Sequence, residues 1–186
     1  MKYNTPKELW NLYKELTAFE KKKAEFKNVD QIVFDLFRTK LSKDRINYSV
    51  SHPDNVIRWG INYDEHREGK LYYYQNSDEF ILDATCYRLQ EGEDPLNYVR
   101  FSNVFNNLLN KGKLFYFSNE NSLRYQVPLS MHALYWQPES LDDHISRHVN
   151  ISDDISLCAH VMYSTGKDPF DVVADFVSSR QGEKTN

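Results

Sequence analysis

The stretch GKLYYYQNSDEFILDATCYR, from Gly69 to Arg88, decides the fold. Phe80, Leu82, Ala84 and Cys86 alternate with Ile81, Asp83, Thr85 and Tyr87, the two-residue period of a strand that buries one face. Upstream, Ile57, Trp59, Ile61 and Tyr63 alternate in the same way with Val56, Arg58, Gly60 and Asn62. His52-Pro53-Asp54-Asn55, the segment from Asp64 to Gly69, and Gln75-Asn76-Ser77-Asp78 supply turn chemistry between the runs. Such connections are too short for parallel crossovers, so Ile46 to Leu89 reads as an antiparallel meander of three or four strands.

Helical patterns flank the meander. Thr5-Pro6-Lys7-Glu8 combines an N-cap hydroxyl, a proline at the first helical position and a capping-box glutamate, and Leu9, Leu12, Tyr13, Leu16 and Phe19 follow at helical spacing. A second pattern runs from about Val29 to Leu41. Asp94-Pro95 opens a further helix with Tyr98, Phe101, Phe105 and Leu108 as its buried stripe and Gly112 as its stop. Leu114 to Phe117 and Leu123 to Val127 form a hairpin around Asn119-Glu120-Asn121, with Pro128 blocking its extension. Ser140-Leu141-Asp142-Asp143 caps a helix carrying Ile145, Val149, Ile155, Cys158 and Met162, with a candidate interruption at Asn150 to Ser152, and Asp168-Pro169 starts a last one. Strands and helices are segregated, which specifies an α+β fold: an antiparallel sheet made of meander plus hairpin, with helices on one face. Residues 1–28 form an amphipathic helical extension and residues 29–186 the α+β domain.

Composition narrows the function. A chain of 186 residues suits one core and buries about two-thirds of its unfolded surface. The net charge of −4 and the pI near 5.9 argue against binding nucleic acid, because phosphate backbones are held by clustered Lys and Arg. Lys21-Lys22-Lys23, flanked by Glu20 and Glu25, reads as a solvated helix face. Cys86 and Cys158 lie far apart and belong to no CxxC, as expected of reduced core thiols in a cytosolic protein. The segment MKYNTPKELW has no apolar h-region and no run of 18 apolar residues occurs, so a soluble, cytoplasmic protein without a membrane partner is expected.

His144 and His148 stand four apart, so on a helix both imidazoles face one way, as a metal site requires, and Asp143 is adjacent. Two ligands are too few, no HExxH glutamate lies between them, and the expectation is a surface helix face with no metal. Asp142-Asp143 and Asp153-Asp154 could do acid/base work, but both fall at the first turn of expected helices, where negative charge complements the dipole. There is no G-x-S-x-G, P-loop or G-x-G-x-x-G, and neither cysteine sits in an electropositive motif. The chain therefore reads as non-enzymatic, with no catalytic residues and no cofactor.

The tyrosines remain. In a strand Tyr73 points away from the face shared by Tyr72 and Tyr74. With Ile57, Trp59, Ile61, Leu82 and Cys86 as the core side, Tyr72, Tyr74 and Tyr87 are candidates for the other face. Left bare, that face is an aromatic partner site; covered by the N-terminal helix through Trp10 and Tyr13, it is more core. A nucleic-acid platform on Tyr72, Tyr74 or Tyr116 lacks the cations it needs.

After the helix, the N-x-L-N pattern within Asn107-Leu108-Leu109-Asn110 runs directly into Gly112-Lys113-Leu114-Phe115-Tyr116-Phe117, a polar turn, Leu123 to Leu129 with its proline-leucine step, and a capped helix. Over roughly Asp30 to Met162 this order resembles the bacterial YbjN-like family of sensory transduction regulators, which shares its fold with type III secretion chaperones. The resemblance implies a twisted antiparallel sheet with helices on one face, frequent dimers, and no catalytic residues. The function expected is that of a regulatory or chaperone-like domain binding a protein partner or its own copy through Tyr72, Tyr74 and Tyr87, with Trp10 and Tyr13 as a competing cover. The alternative is a small-molecule- or metal-binding domain using the His144/His148 helix face.

Overall fold

The computed structural model describes residues 29–44, 46–51, 56–61, 64–74, 79–130, 133–134, 137 and 140–183. The expected N-terminal helix, with Trp10 and Tyr13, lies outside the described residues. Helix α1 (Val29–Lys43) precedes strands β1 (Tyr48–Ser51), β2 (Val56–Ile61), β3 (Asp64–Tyr74) and β4 (Glu79–Arg88). Helix α2 (Pro95–Phe105), strands β5 (Lys113–Phe117) and β6 (Ser122–Ser130), and helices α3 (Ser140–Thr165) and α4 (Pro169–Glu183) follow. The strands make one antiparallel six-stranded sheet in the order β1-β2-β3-β4-β6-β5. The α+β class read from the sequence is the class observed. No helix among the described residues is long and apolar enough to cross a membrane.

Two cross-strand rows explain the helix-covered face. Val50, Ile57, Leu71, Leu82 and Val127 stand side by side across five strands, and Tyr48, Trp59, Gly69, Ala84, Tyr125 and Leu114 across all six. The large inner members are buried, each contributing roughly 1.5–3 kcal/mol. Gly69 is obligatory in its row: a Cβ there would stand 2.3 Å from the Trp59 indole, which lies across the glycine and against Phe37 of α1 at 5.0 Å. Phe34 packs edge-on to Phe80 at 5.3 Å, so α1 covers the same face that α2 and α3 reach through Tyr98, His160 and His148.

The opposite face is polar at its centre. Ser49, Arg58, Lys70, Asp83, Gln126 and Lys113 form its middle row. Asp83 is inaccessible there and bound by Arg124, whose Nε donates to Oδ1 at 3.0 Å and whose Nη2 donates to Oδ2. Arg124 also reaches Glu120 at 3.1 Å and lies 4.6 Å over the Phe117 ring, while burial lowers its pKa.

Several local expectations are corrected. The polar segment from Asp64 to Gly69 is not a turn; it belongs to β3, because Gly60 pairs with Glu68 and Ile61 with Asp64 across an irregular register. Pro128 does not end β6, which runs on to Ser130; the proline pairs with Ile81 beyond Gln126, the residue farthest along β6 that β5 pairs with, so only one neighbouring strand constrains it. Helix α3 is not interrupted at Asn150 to Ser152, since Ser152 returns its hydroxyl to the His148 carbonyl at 2.7 Å within an unbroken 26-residue helix. Asp142 and Asp143 do lie in its first turn, but Asp153 and Asp154 are in its interior, and Asp154 accepts from Arg180 of α4. Asp94 and Asp168 cap α2 and α4 as expected, accepting from Leu96 N at 3.0 Å and Phe170 N at 2.9 Å.

Candidate functional site

Helix α2 ends at Phe105, earlier than the stripe through Leu108 implies, and Leu108 is exposed. Asn106 causes the departure: its side-chain oxygen accepts from Leu114 N at 2.8 Å and its amide donates to Leu114 O at 2.9 Å, latching the helix end onto β5. The chain then crosses β6 closely. Gly112 has φ +77°, and a Cβ on it would stand 2.6 Å from the Gln126 carbonyl. Tyr125 secures the same segment from below, its hydroxyl donating to the Lys111 carbonyl at 2.8 Å.

Between this segment, β6 and α3 lies a cavity of about 340 Å³. Phe105, Leu108 and Leu109 form one wall, Tyr125 and Val127 the floor, and Phe176 of α4 one end. Helix α3 supplies His144, Arg147, His148 and Ile151, spaced so that one stripe of the helix faces the opening. Asp154 also lines it, but is held by Arg180, which in turn lies 5.5 Å over the Phe176 ring. Lys111 and Arg147 are exposed, and their side chains form no ion pair among the described residues.

His148 is 1% exposed and lines the cavity's inner wall. Its ring stacks on Tyr125 at 5.1 Å and 19°, and Nε2 lies 3.2 Å from the Tyr125 carbonyl oxygen. A carbonyl only accepts, so Nε2 carries the hydrogen and Nδ1 the lone pair. Burial pushes the pKa of His148 down to about 4 against the weaker opposing pull of the Tyr125 and Leu82 carbonyls, so the ring is neutral at neutral pH. Nδ1 has no partner among the described residues. An unsatisfied buried acceptor costs about 1–3 kcal/mol. His144 is half-buried, and burial, then the Lys111 and Arg147 charges, lower its pKa.

The expectation of a surface helix face thus fails at His148: α3 packs over β4 and turns this residue inward against Tyr125 of β6. The two histidines do share a cavity, but no group of three His, Cys, Asp or Glu among the described residues is placed to hold a metal ion.

The tyrosine candidates are not brought together. Tyr72 is half-buried on the polar sheet face, where Gln126 Nε2 donates to its hydroxyl at 3.4 Å and to Asp83 Oδ2 at 3.2 Å. Tyr74 ends β3 with its backbone paired to Glu79, and its side chain lies outside the described residues. Tyr87 is on the wrong side for a joint platform. Thr85 pairs with Arg124 but Tyr87 with Leu123, so Cys86 is the extra residue of a β-bulge that turns Tyr87 onto the helix-covered face. There it is buried, stacked on Tyr98 at 5.5 Å and edge-on to His160 at 5.0 Å, and both tyrosine hydroxyls donate to Glu93. Burial, then the Glu93 carboxylate, raise its pKa.

Sequence reasoning missed Tyr125, Lys111 and Arg147 as a set. The four-residue spacing of His144 and His148 was legible; the carbonyl that fixes the imidazole was not, since it depends on how α3 packs on the sheet. No protein-family model, curated protein or solved structure matches this chain.

Proposed function

We propose that this chain is a non-enzymatic domain that binds a small, largely apolar molecule in the cavity between α3, β6 and the segment from Asn106 to Gly112. The observation that carries the reading is His148: a buried, neutral imidazole on the cavity wall, locked by Tyr125 through Nε2 and left with an unpartnered acceptor at Nδ1. Ligand sites combine apolar walls with a few placed polar atoms, as this cavity does. A regulatory role, of the kind the YbjN-like resemblance implies, suits a domain whose packing responds to occupancy. The test is fluorescence titration with anilinonaphthalene sulfonate. Saturable enhancement is expected for the natural chain and for Leu157→Phe, on an exposed position of α3. Ile151→Phe, which places a ring in the cavity, is expected to abolish most of it. Undiminished enhancement in Ile151→Phe places the probe elsewhere and defeats the reading.

A second reading, association with a protein partner or a second copy, is supported by a different observation. Strand β5 ends the sheet order and carries Phe115, 43% exposed. An edge strand with an exposed aromatic suits strand addition. Light scattering across a concentration series tests it: a dimer abolished by Phe115→Lys supports the reading, and a strict monomer at all concentrations removes self-association.

A further inference from the structure

We infer that the Asn106 carboxamide guards the open edge of the sheet: it keeps β5 from pairing with a second copy of this chain, and β5 pairs when it lets go. This rests on the reading of β5 as an association edge and adds what controls that edge. Strand β5 is last in the sheet order, so one side of its backbone meets no other strand. In an antiparallel pair, alternate residues turn both N–H and C=O toward the partner strand, and those between turn both away. Leu114 commits both of its groups to Asn106, so Lys113, Phe115 and Phe117 bond β6 while Leu114 and Tyr116 face outward. The carboxamide, one acceptor beside one donor, thus stands where the backbone of a further strand would stand. Tyr116 keeps an open N–H and C=O among the described residues.

A second copy suits this edge because the strand is complementary to itself. Antiparallel self-pairing overlaps the whole of Lys113–Phe117 in one register, with the two-fold axis at Phe115. In that register Leu114 of each copy faces Tyr116 of the other, and Phe115, 43% exposed, faces its own copy in a close pair. Lys113 faces Phe117, so no like charges oppose along the strand. Every hydrogen bond of this register uses Leu114 of one copy, and Asn106 occupies them all. Registers that avoid Leu114 keep only the Tyr116 groups and part of the strand. For the natural chain, pairing exchanges side-chain bonds for strand bonds without gain. Once the carboxamide is gone the strand bonds are a net gain, and even one corresponds to roughly tenfold in affinity.

The test uses the full chain. In the natural protein, held dilute, amide hydrogen exchange is expected to be about tenfold slower at Leu114 than at Tyr116. Equal rates would show that the carboxamide does not hold the edge, and overturn the inference without any substitution. In sedimentation equilibrium, Asn106→Ala is expected to dimerise about tenfold more tightly than the natural chain. Adding Tyr116→Pro, which removes an outward N–H and spares the bonds to β6, is expected to cancel that gain. Gly69→Ala, destabilised at a strand that β4 and β6 separate from β5, is expected to associate no more than the natural chain. Association equal in Asn106→Ala and Gly69→Ala, or surviving Tyr116→Pro, overturns the inference. Equally tight dimers of the natural chain and Asn106→Ala, both lost on Phe115→Lys, overturn the guard alone and leave the association reading. Strict monomers throughout overturn the guard and self-association together.

Discussion

One tyrosine sets both the plane and the tautomer of His148: the Tyr125 ring stacks on the imidazole, and the Tyr125 backbone oxygen takes its Nε2 hydrogen. The pair joins the first half of α3 to β6, next to the edge strand β5. It also keeps a titratable group uncharged inside the protein.

Acid sensitivity follows from that burial. The folded pKa is about 4, against 6.5 for a free imidazole, so between these values the unfolded chain binds the extra proton and the native state does not. Stability contributed by His148 is complete above pH 6.5, declines as the pH falls, and levels off near pH 4, a total loss of about 3 kcal/mol. Denaturant titrations at pH 7 and pH 5 are expected to show a steeper loss for the natural chain than for His148→Gln. Equal slopes would show that the imidazole is not held neutral.

Gly69→Ala tests the six-strand row. The added methyl meets the indole of Trp59, which Phe37 backs from the other side, so the expected destabilisation is about 1–3 kcal/mol in chemical denaturation. In a Trp59→Leu background the same alanine is expected to cost far less, because the obstructing ring is gone. A cost unaltered by the second change would show that the methyl meets something other than the indole.

Asp83→Ala leaves the Arg124 guanidinium buried with, among the described residues, only the Glu120 carboxylate to accept from it. A loss near the lower end of the 3–5 kcal/mol typical of a broken buried pair is expected. Replacing both partners, Asp83→Leu with Arg124→Met, is expected to recover most of it. A double variant as unstable as the single one would mean that the pair itself, and not the stranded charge, supplies the stability.

Both cysteines are buried thiols, and burial pushes that of Cys158 up to about 12. Neither is expected to react with dithiobis(nitrobenzoate) at pH 8 in the native protein, and both are expected to react at once in guanidinium. Rapid reaction of the native chain would contradict the packing of β4 and α3.

Much of the architecture was legible because it rests on local signals. The alternation from Phe80 to Ala84 fixed β4, and Asp94-Pro95 and Asp168-Pro169 fixed two helix starts. Other features depend on partners distant in sequence. The bulge at Cys86 leaves the written pattern looking regular while sending Tyr87 to the other face, because one extra residue in a period of two reverses every later side chain. The β3 segment after Asp64 is polar and becomes strand only through pairing with β2. Asn106 shows no pattern of its own, since its two bonds go to Leu114 across a turn. At the cavity, the four-residue spacing of His144 and His148 was visible, but not which ring would be driven inward.

The unbroken course of α3 has a mechanical consequence. Twenty-six residues make a rod about 39 Å long, with His148 and His160 about 18 Å apart along its axis. One bears on Tyr125, the other on the Tyr87 ring clasped by Glu93. With no hinge between them, the two contacts move as one: a tilt of the helix at the first fulcrum is delivered to the second.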